Sequence, residues 1–153
     1  MPAISVTDRE PGHLDACVEV LRAVYRTSGY PTNWPPDPAR WLTPRGMIAA
    51  WIASAGDLPV AGHVLLVRRS PAEAEVSRLF VAPAAHRQGV AQALLERAVC
   101  SGLDLSLEVA GHLRGAIALY RQAGFRLTST SRASWTTPAG QPVTLHHYER
   151  RRP

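Results

Sequence analysis

Cysteine is nearly missing from this chain: Cys17 and Cys100 are the only two in 153 residues. Two are too few for a disulfide scaffold, and their separation is not a metal-ligand spacing, so no metal is expected. Both fit apolar helix faces with no base beside them, which predicts reduced, buried, small apolar side chains rather than acyl-carrying nucleophiles. Long apolar runs are also lacking. No stretch approaches the roughly 20 residues that cross a bilayer, and the opening MPAISVTDREPG does not have the basic-then-apolar order of a secretion signal. A cytoplasmic protein without membrane association is the expectation. Acids are scarce, 12 against 17 basic residues, for a formal charge of +5. That balance suits an anionic partner such as nucleic acid, a membrane surface or a polyphosphate carrier. Nucleic acid is disfavoured, because neither an aromatic-plus-basic sheet motif nor a helix-turn-helix pattern is present. The run Arg150-Arg151-Arg152 reads as a solvated tail. Repeats and low-complexity segments are absent.

What remains is an ordinary globular composition, 46% apolar and 19% charged. The length suits one core, so residues 1–153 are expected to form one domain. Residues 3–8 read as a first strand. Leu14, Cys17, Val18, Leu21, Val24 and Tyr25 recur at helical spacing and stop before Gly29. The prolines of 30–38 demand an ordered loop, followed by a short helix over 37–42. Residues 47–54 and 60–69 are strands joined through 55–59, and 73–81 is the next strand. A helix over 89–100, a strand over 103–109, a helix over 115–123 and strands over 125–131 and 143–150 complete the chain. This order predicts an α/β (α+β) fold, a mixed sheet with helices on both faces.

The most informative segment is Val81-Ala82-Pro83-Ala84-Ala85-His86-Arg87-Gln88-Gly89-Val90-Ala91. It is a strand, a short loop, and a helix that opens on glycine. The first amides of a helix lack internal partners and carry partial positive charge. Gly89 and Ala91 leave them approachable, and Arg87 adds a cation, so a phosphate could sit there. The spacing is neither the Walker loop nor the dinucleotide fingerprint. A second segment, Ala116-Ile117-Ala118-Leu119-Tyr120-Arg121-Gln122-Ala123-Gly124-Phe125, lies two elements further on.

Together these segments resemble the GNAT acyltransferase superfamily. Its acyl-CoA signature is (Arg/Gln)-x-x-Gly-x-(Gly/Ala) after Val-x-Pro, and it commonly carries Ala-x-x-Leu-Tyr-x-x-x-Gly-Phe later. His86 departs from the signature's first position. The resemblance spans about residues 3–150. It implies a mostly antiparallel sheet of six to seven strands, splayed between the fourth and fifth. It implies acetyl-CoA (coenzyme A) as co-substrate, held by Leu79, Phe80 and Val81 along the pantetheine and by His86, Arg87, Gln88, Gly89, Val90 and Ala91 at the pyrophosphate. Transfer to an amine would then proceed directly in a ternary complex.

The acceptor must be neutral to attack, which costs an amine of pKa near 10.4 roughly 4.6 kcal/mol at pH 7. A carboxylate can take that proton. Glu108, in Leu105-Ser106-Leu107-Glu108-Val109, is similar to the base of ribosomal-protein alanine N-acetyltransferases, with Tyr120 at the matching distance as the acid that would protonate the departing thiolate or hydrogen-bond its sulfur. Glu75 stands where other branches place their base. The Arg and Asn usual in that subfamily are replaced here by Ala110 and Leu113, so the mechanism carries over and the ribosomal substrate does not. The acceptor pocket is expected to be walled by Tyr25, Tyr30, Trp34, Trp41 and Trp135, with Trp51 in the core. Acids are few between residues 13 and 69, which points to a small acceptor with one amine and an apolar body rather than a polycation. Protein N-terminal or lysine acetylation, and a non-catalytic CoA-binding sensor, are the alternatives. A monomer or a homodimer is expected.

Overall fold

The computed structural model describes residues 3–153. Strands β1 (Ile4–Asp8), β2 (Met47–Ala55), β3 (Leu58–Ser70), β4 (Glu73–Val81), β5 (Asp104–Ala110), β6 (Arg126–Thr136) and β7 (Pro142–Arg150) form one sheet in the order β1-β2-β3-β4-β5-β7-β6. Helices α1 (Leu14–Ser28), α2 (Pro38–Trp41), α3 (Val90–Val99) and α4 (Arg114–Gln122) connect them. All neighbours are antiparallel except β4 and β5. This is the expected mixed sheet.

The centre of the sheet explains the layering. Residues 60–67 of β3 are all buried, which an apolar run achieves only when both faces are covered. On one face α1 buries Cys17, Leu21 and Val24 against Leu42, Ile52, Val60 and Phe80. On the other, α3 buries Val90, Leu94 and Leu95 in a larger core with Leu66, Leu105, Tyr120 and Tyr148. Gly62 lets α3 approach: a Cβ there would lie 2.8 Å from Val90 Cγ1 and 2.9 Å from Leu94 Cδ1. Gly29 ends α1 at φ 76°, donating its N–H to Tyr25 O. Trp51 is buried as expected.

Four details differ from the sequence reading. Cys100 is exposed, because it caps the C-terminus of α3 where the apolar face has already ended. Leu58 and Pro59 belong to β3, so the turn is Gly56-Asp57 alone. β6 runs to Thr136; nearly every residue of this edge strand is exposed, which removes the alternation that would have signalled it. The arginine run is not a free tail. Arg150 lies in β7 and donates Nε to Ala123 O at 2.9 Å, and Arg151 pairs with Asp104 at 3.3 Å. Among the described residues no helix is long and apolar enough to cross a membrane.

Candidate active site

β4 and β5 pair only through Glu73↔Asp104, Ala74↔Leu105 and Glu75↔Ser106. Beyond that point β4 stays with β3 and β5 stays with β7, and the two strands part. Their facing edges carry main-chain N–H and C=O groups without a ladder partner, and such groups need one when covered. An extended ligand can supply it as an added strand. The gap opens into a cleft of about 650 Å³, walled by residues 75–81 and 107–110 together with Tyr30, His86, Tyr120 and Trp135.

The β4 wall is bent. His63 faces Phe80 and Leu65 faces Ser77, so two residues of β3 span three of β4. The extra residue is absorbed at Arg78, whose φ is +52°. A bulge of this kind re-aims main-chain and side-chain groups, and a left-handed non-glycine residue persists only when its surroundings hold it. His63 does the holding. Its Nδ1 is 2.9 Å from Arg78 O, and its Nε2 is 3.0 Å from Arg9 Nη1. Arginine can only donate, so Nε2 accepts and the ring proton sits on Nδ1, donated to the Arg78 carbonyl. Arg9 is itself fixed by Leu42 O and Thr43 Oγ1. His63 is fully buried and stacked on Phe80 at 5.1 Å. Burial lowers its pKa to about 4, helped by the charges of Arg9 and Arg78 and opposed by the Arg78 hydrogen bond. The ring is therefore neutral near pH 7.

At the end of β4 a 3-10 turn, Pro83–Ala85, leads into Arg87 at φ 63° and Gly89 at φ 85°. Two left-handed residues curl the main chain so that α3 starts without a side-chain cap and without an acid in its first turn. Its first amides remain open, with the partial charge of the helix end behind them. A Cβ on Gly89 would touch only Ile4 Cδ1, at 3.8 Å, so the backbone angle rather than crowding calls for glycine. Val90 turns its side chain into the core and offers only its amide. Leu79, Phe80, Val81 and His86 line the cleft, and the Phe80 ring packs on His63. Arg87, Gln88, Gly89, Val90 and Ala91 form the turn and helix start beyond it. Such a set of amides can hold a pyrophosphate.

Glu75, Glu108 and Tyr120, far apart in sequence, meet on this one cleft. Glu75 is engaged by the guanidinium of Arg69. Glu108 is half exposed, and its Oε1 lies 3.4 Å from His147 Nδ1. His147 Nε2 in turn meets Ser131 Oγ at 2.9 Å, which gives a line of exchangeable protons leading across the sheet from Glu108. Tyr120 is buried, and desolvation pushes its hydroxyl up to about 12. Burial does the same to Tyr30, with Arg78 opposing and Tyr120 adding to the rise. Tyr30 as a whole residue is 36% exposed and borders the open cleft. Trp135 is also on the wall. Tyr25 and Trp34 are not: they pack on each other, tilted, with ring centroids 5.3 Å apart, and Arg22 lies over Trp34. Trp41 lies behind the wall, beneath Arg78 at 4.3 Å and 6.2 Å from Tyr30.

Arg78, His63, Arg9 and His147 escaped the sequence reading. A signal for the first existed. Strict alternation from Ala74 and Val76 puts Arg78 at a position of apolar parity, where a charge stands out; the extra residue itself shows only in the fold, where Phe80 packs in a different cluster from Ala74 and Val76. His63 is the one polar side chain among the eight buried residues 60–67 of β3, which in hindsight marks a specific partner. Among the described residues no group of three or more His, Cys, Asp or Glu is gathered as a metal site would need.

A family model described as an acetyltransferase (GNAT) domain matches residues 48–127. No curated protein matches the sequence. Solved structures do match in fold. The ribosomal-protein-S18-alanine N-acetyltransferase from Escherichia coli has a TM-score of 0.79 at 20% identity, covering 97% of this chain and 93% of that one. A GCN5-related N-acetyltransferase from Kribbella flavida has a TM-score of 0.77 at 24% identity, with 97% and 98% covered. A spermidine N-acetyltransferase SpeG chimera from Vibrio cholerae and hSSAT has a TM-score of 0.76 at 16% identity, with 96% and 94% covered.

Proposed function

Since the chain belongs to the GNAT acetyltransferase family, acyl-CoA-dependent enzymes that use acetyl-CoA as co-substrate, we propose that residues 1–153 act as one domain acetylating a primary amine of a small molecule by direct attack in a ternary complex. What carries this reading is the parting of β4 and β5 beyond Glu75 and Ser106. It leaves two open strand edges along a cleft that also collects two carboxylates and a phenol. The uncapped start of α3 takes the pyrophosphate, and the edge of β4 takes the pantetheine. Main-chain amides at the splay polarise the thioester carbonyl.

Glu108 is the better base of the two carboxylates. Glu75 is held by Arg69 through Oε1, so taking a proton weakens that ion pair. Glu108 has only His147 beside it, at 3.4 Å, and can pass the amine proton on through His147 and Ser131 to solvent. The amine nitrogen bonds to the thioester carbon, the C–S bond breaks, and the thiolate leaves beside Tyr120. An aromatic pocket edge, Tyr30 and Trp135, faces the acceptor body.

The test is thiol release from acetyl-CoA with a panel of primary amines, amino acids, polyamines and an alanine-initiated peptide. Release with small amines supports the reading, and release with the peptide alone moves the assignment to protein N-termini. CoA binding without release from any member marks a non-catalytic sensor. Absence of both binding and release overturns the reading altogether.

A further inference from the structure

The acceptor end of the cleft holds a cation that the transfer chemistry does not use. Arg78 lies at the bulge of β4, on the cleft wall near Tyr30. Its Nε donates to Trp41 O at 3.3 Å, its Nη1 donates to Ser77 Oγ at 2.9 Å, and its guanidinium lies 4.3 Å over the Trp41 ring. Every one of those partners is neutral. Among the described residues, no carboxylate lies within 4.0 Å of Arg78, although Arg69 and Arg151 both have acidic partners at the same sheet. Glu75 acts on it through space only, and a half-desolvated guanidinium with no carboxylate in direct contact keeps an unmet demand for an anion.

The charges of the cleft are also segregated. Glu75 and Glu108 line the cleft where β4 and β5 stop pairing, and of the two only Glu75 is engaged by an arginine, Arg69. Arg78 stands three residues further along β4, roughly 10 Å at strand spacing, with Arg9 behind it across His63. A molecule entering between them meets carboxylates at one end and a cation at the other. An amine of positive charge is drawn to the first, and an acid group on the same molecule to the second.

From this arrangement we propose that the acceptor is a compact zwitterion, an amine bearing a carboxylate or phosphonate group, and that Arg78 is the residue that binds its acid group. The proposal rests on the acyltransferase reading above and deepens it to a substrate class. Arg78 is a binding and not a catalytic residue: it touches the acceptor away from the reacting nitrogen. The Trp41 ring and the His63–Arg78 carbonyl bond hold it in place, so the site is built before the acceptor arrives.

The experiment compares matched acceptors on the same enzyme preparation. Amino acids and aminoalkylphosphonates are paired with the corresponding amides and simple alkylamines, and kcat/KM is measured for each with acetyl-CoA. At least a tenfold preference for the anionic member of a pair is expected. In Arg78→Met that ratio falls toward one, while Arg78→Lys retains part of it, since a point charge replaces a planar fork. The ratio is insensitive to how much of the variant is folded, because both acceptors are read on the same active protein. A wild-type ratio near one, a ratio that persists in Arg78→Met, or acetylation of spermidine and neutral amines with no anionic amine accepted overturns the proposal and leaves the acyltransferase reading standing. Failure of that reading looks different: no thiol release with any amine and no binding of coenzyme A.

Discussion

The two ends of the cleft are built from different material. At the end where α3 begins, what a ligand meets is main chain: the amides after Gly89 and the free edge of β4, with side chains such as Val90 turned into the core. At the other end it meets side chains: Glu75, Glu108, Arg78, Tyr30 and Trp135. A site made of backbone tolerates most substitutions and is strict only where an angle or a close approach requires glycine. A site made of side chains is rewritten by each substitution. On the proposed reading, the first end would serve the carrier common to the family and the second the acceptor.

The largest separation of the two ends should come from the base. Glu108→Gln is expected to lower kcat by about 10²- to 10⁴-fold, the usual contribution of a positioned proton acceptor, with little change in KM for acetyl-CoA. Glu75→Gln, whose parent is already tied to Arg69, is expected to lose less than tenfold. Steady-state kinetics on both variants decides it: the reverse ranking would move the base to Glu75.

What lies beneath the acceptor wall gives the next effect. His63 titrates at about 4 in the fold against about 6.5 when unfolded. Between those values the unfolded chain binds more protons, so stability is full above pH 6.5 and falls as the pH drops toward 4, with no further loss from this group below that. The full difference is about 3 kcal/mol. Urea unfolding at pH 7 and pH 4.5 reads it, and the loss attributable to His63 disappears in His63→Gln. An unchanged pH dependence in that variant would show that the ring is not the titrating support of the bulge.

The backbone end then answers in the opposite currency. Gly89→Val places a branched residue at φ 85°, a strain of about 1–2 kcal/mol, and the side chain stands beside the open amides. KM for acetyl-CoA is expected to rise about tenfold, while the ratio of kcat/KM between two acceptors stays fixed. A shift in acceptor preference instead would mean that the two ends are not separate.

The same division governs what could be read from the sequence. The elements followed from periodicity and glycine punctuation. The turn before α3 was legible because a left-handed backbone position leaves a spaced glycine as its trace. Glu108 and Tyr120 were reachable through motif-bearing elements. Arg78 and His63 were not, because their importance arises from a bulge that brings Arg78 O against a ring fifteen residues away, and no local pattern encodes a cross-strand register. Tyr25 and Trp34 show the reverse case, lying off the cleft wall. As loop and helix-end aromatics they suited a pocket wall, yet each satisfied the other, since aromatic composition does not say which surface a ring will cover.

The smallest expected effect falls on Tyr120, and its size distinguishes two roles. With the phenol pushed up to about 12 by burial, handing its proton fully to a thiolate of ordinary pKa near 8.5 is roughly 5 kcal/mol uphill. Donating a hydrogen bond to the same sulfur carries no such cost. On the proposed reading Tyr120 would stabilise the departing thiolate without giving up its proton, and Tyr120→Phe should lower kcat by about three- to tenfold, the worth of one hydrogen bond. The rate should also show no fall in the range around pH 10 where an ordinary tyrosine ionises. A loss of a hundredfold or more, with a descending limb near pH 10 in the wild type that the variant lacks, would instead assign full proton transfer to this hydroxyl.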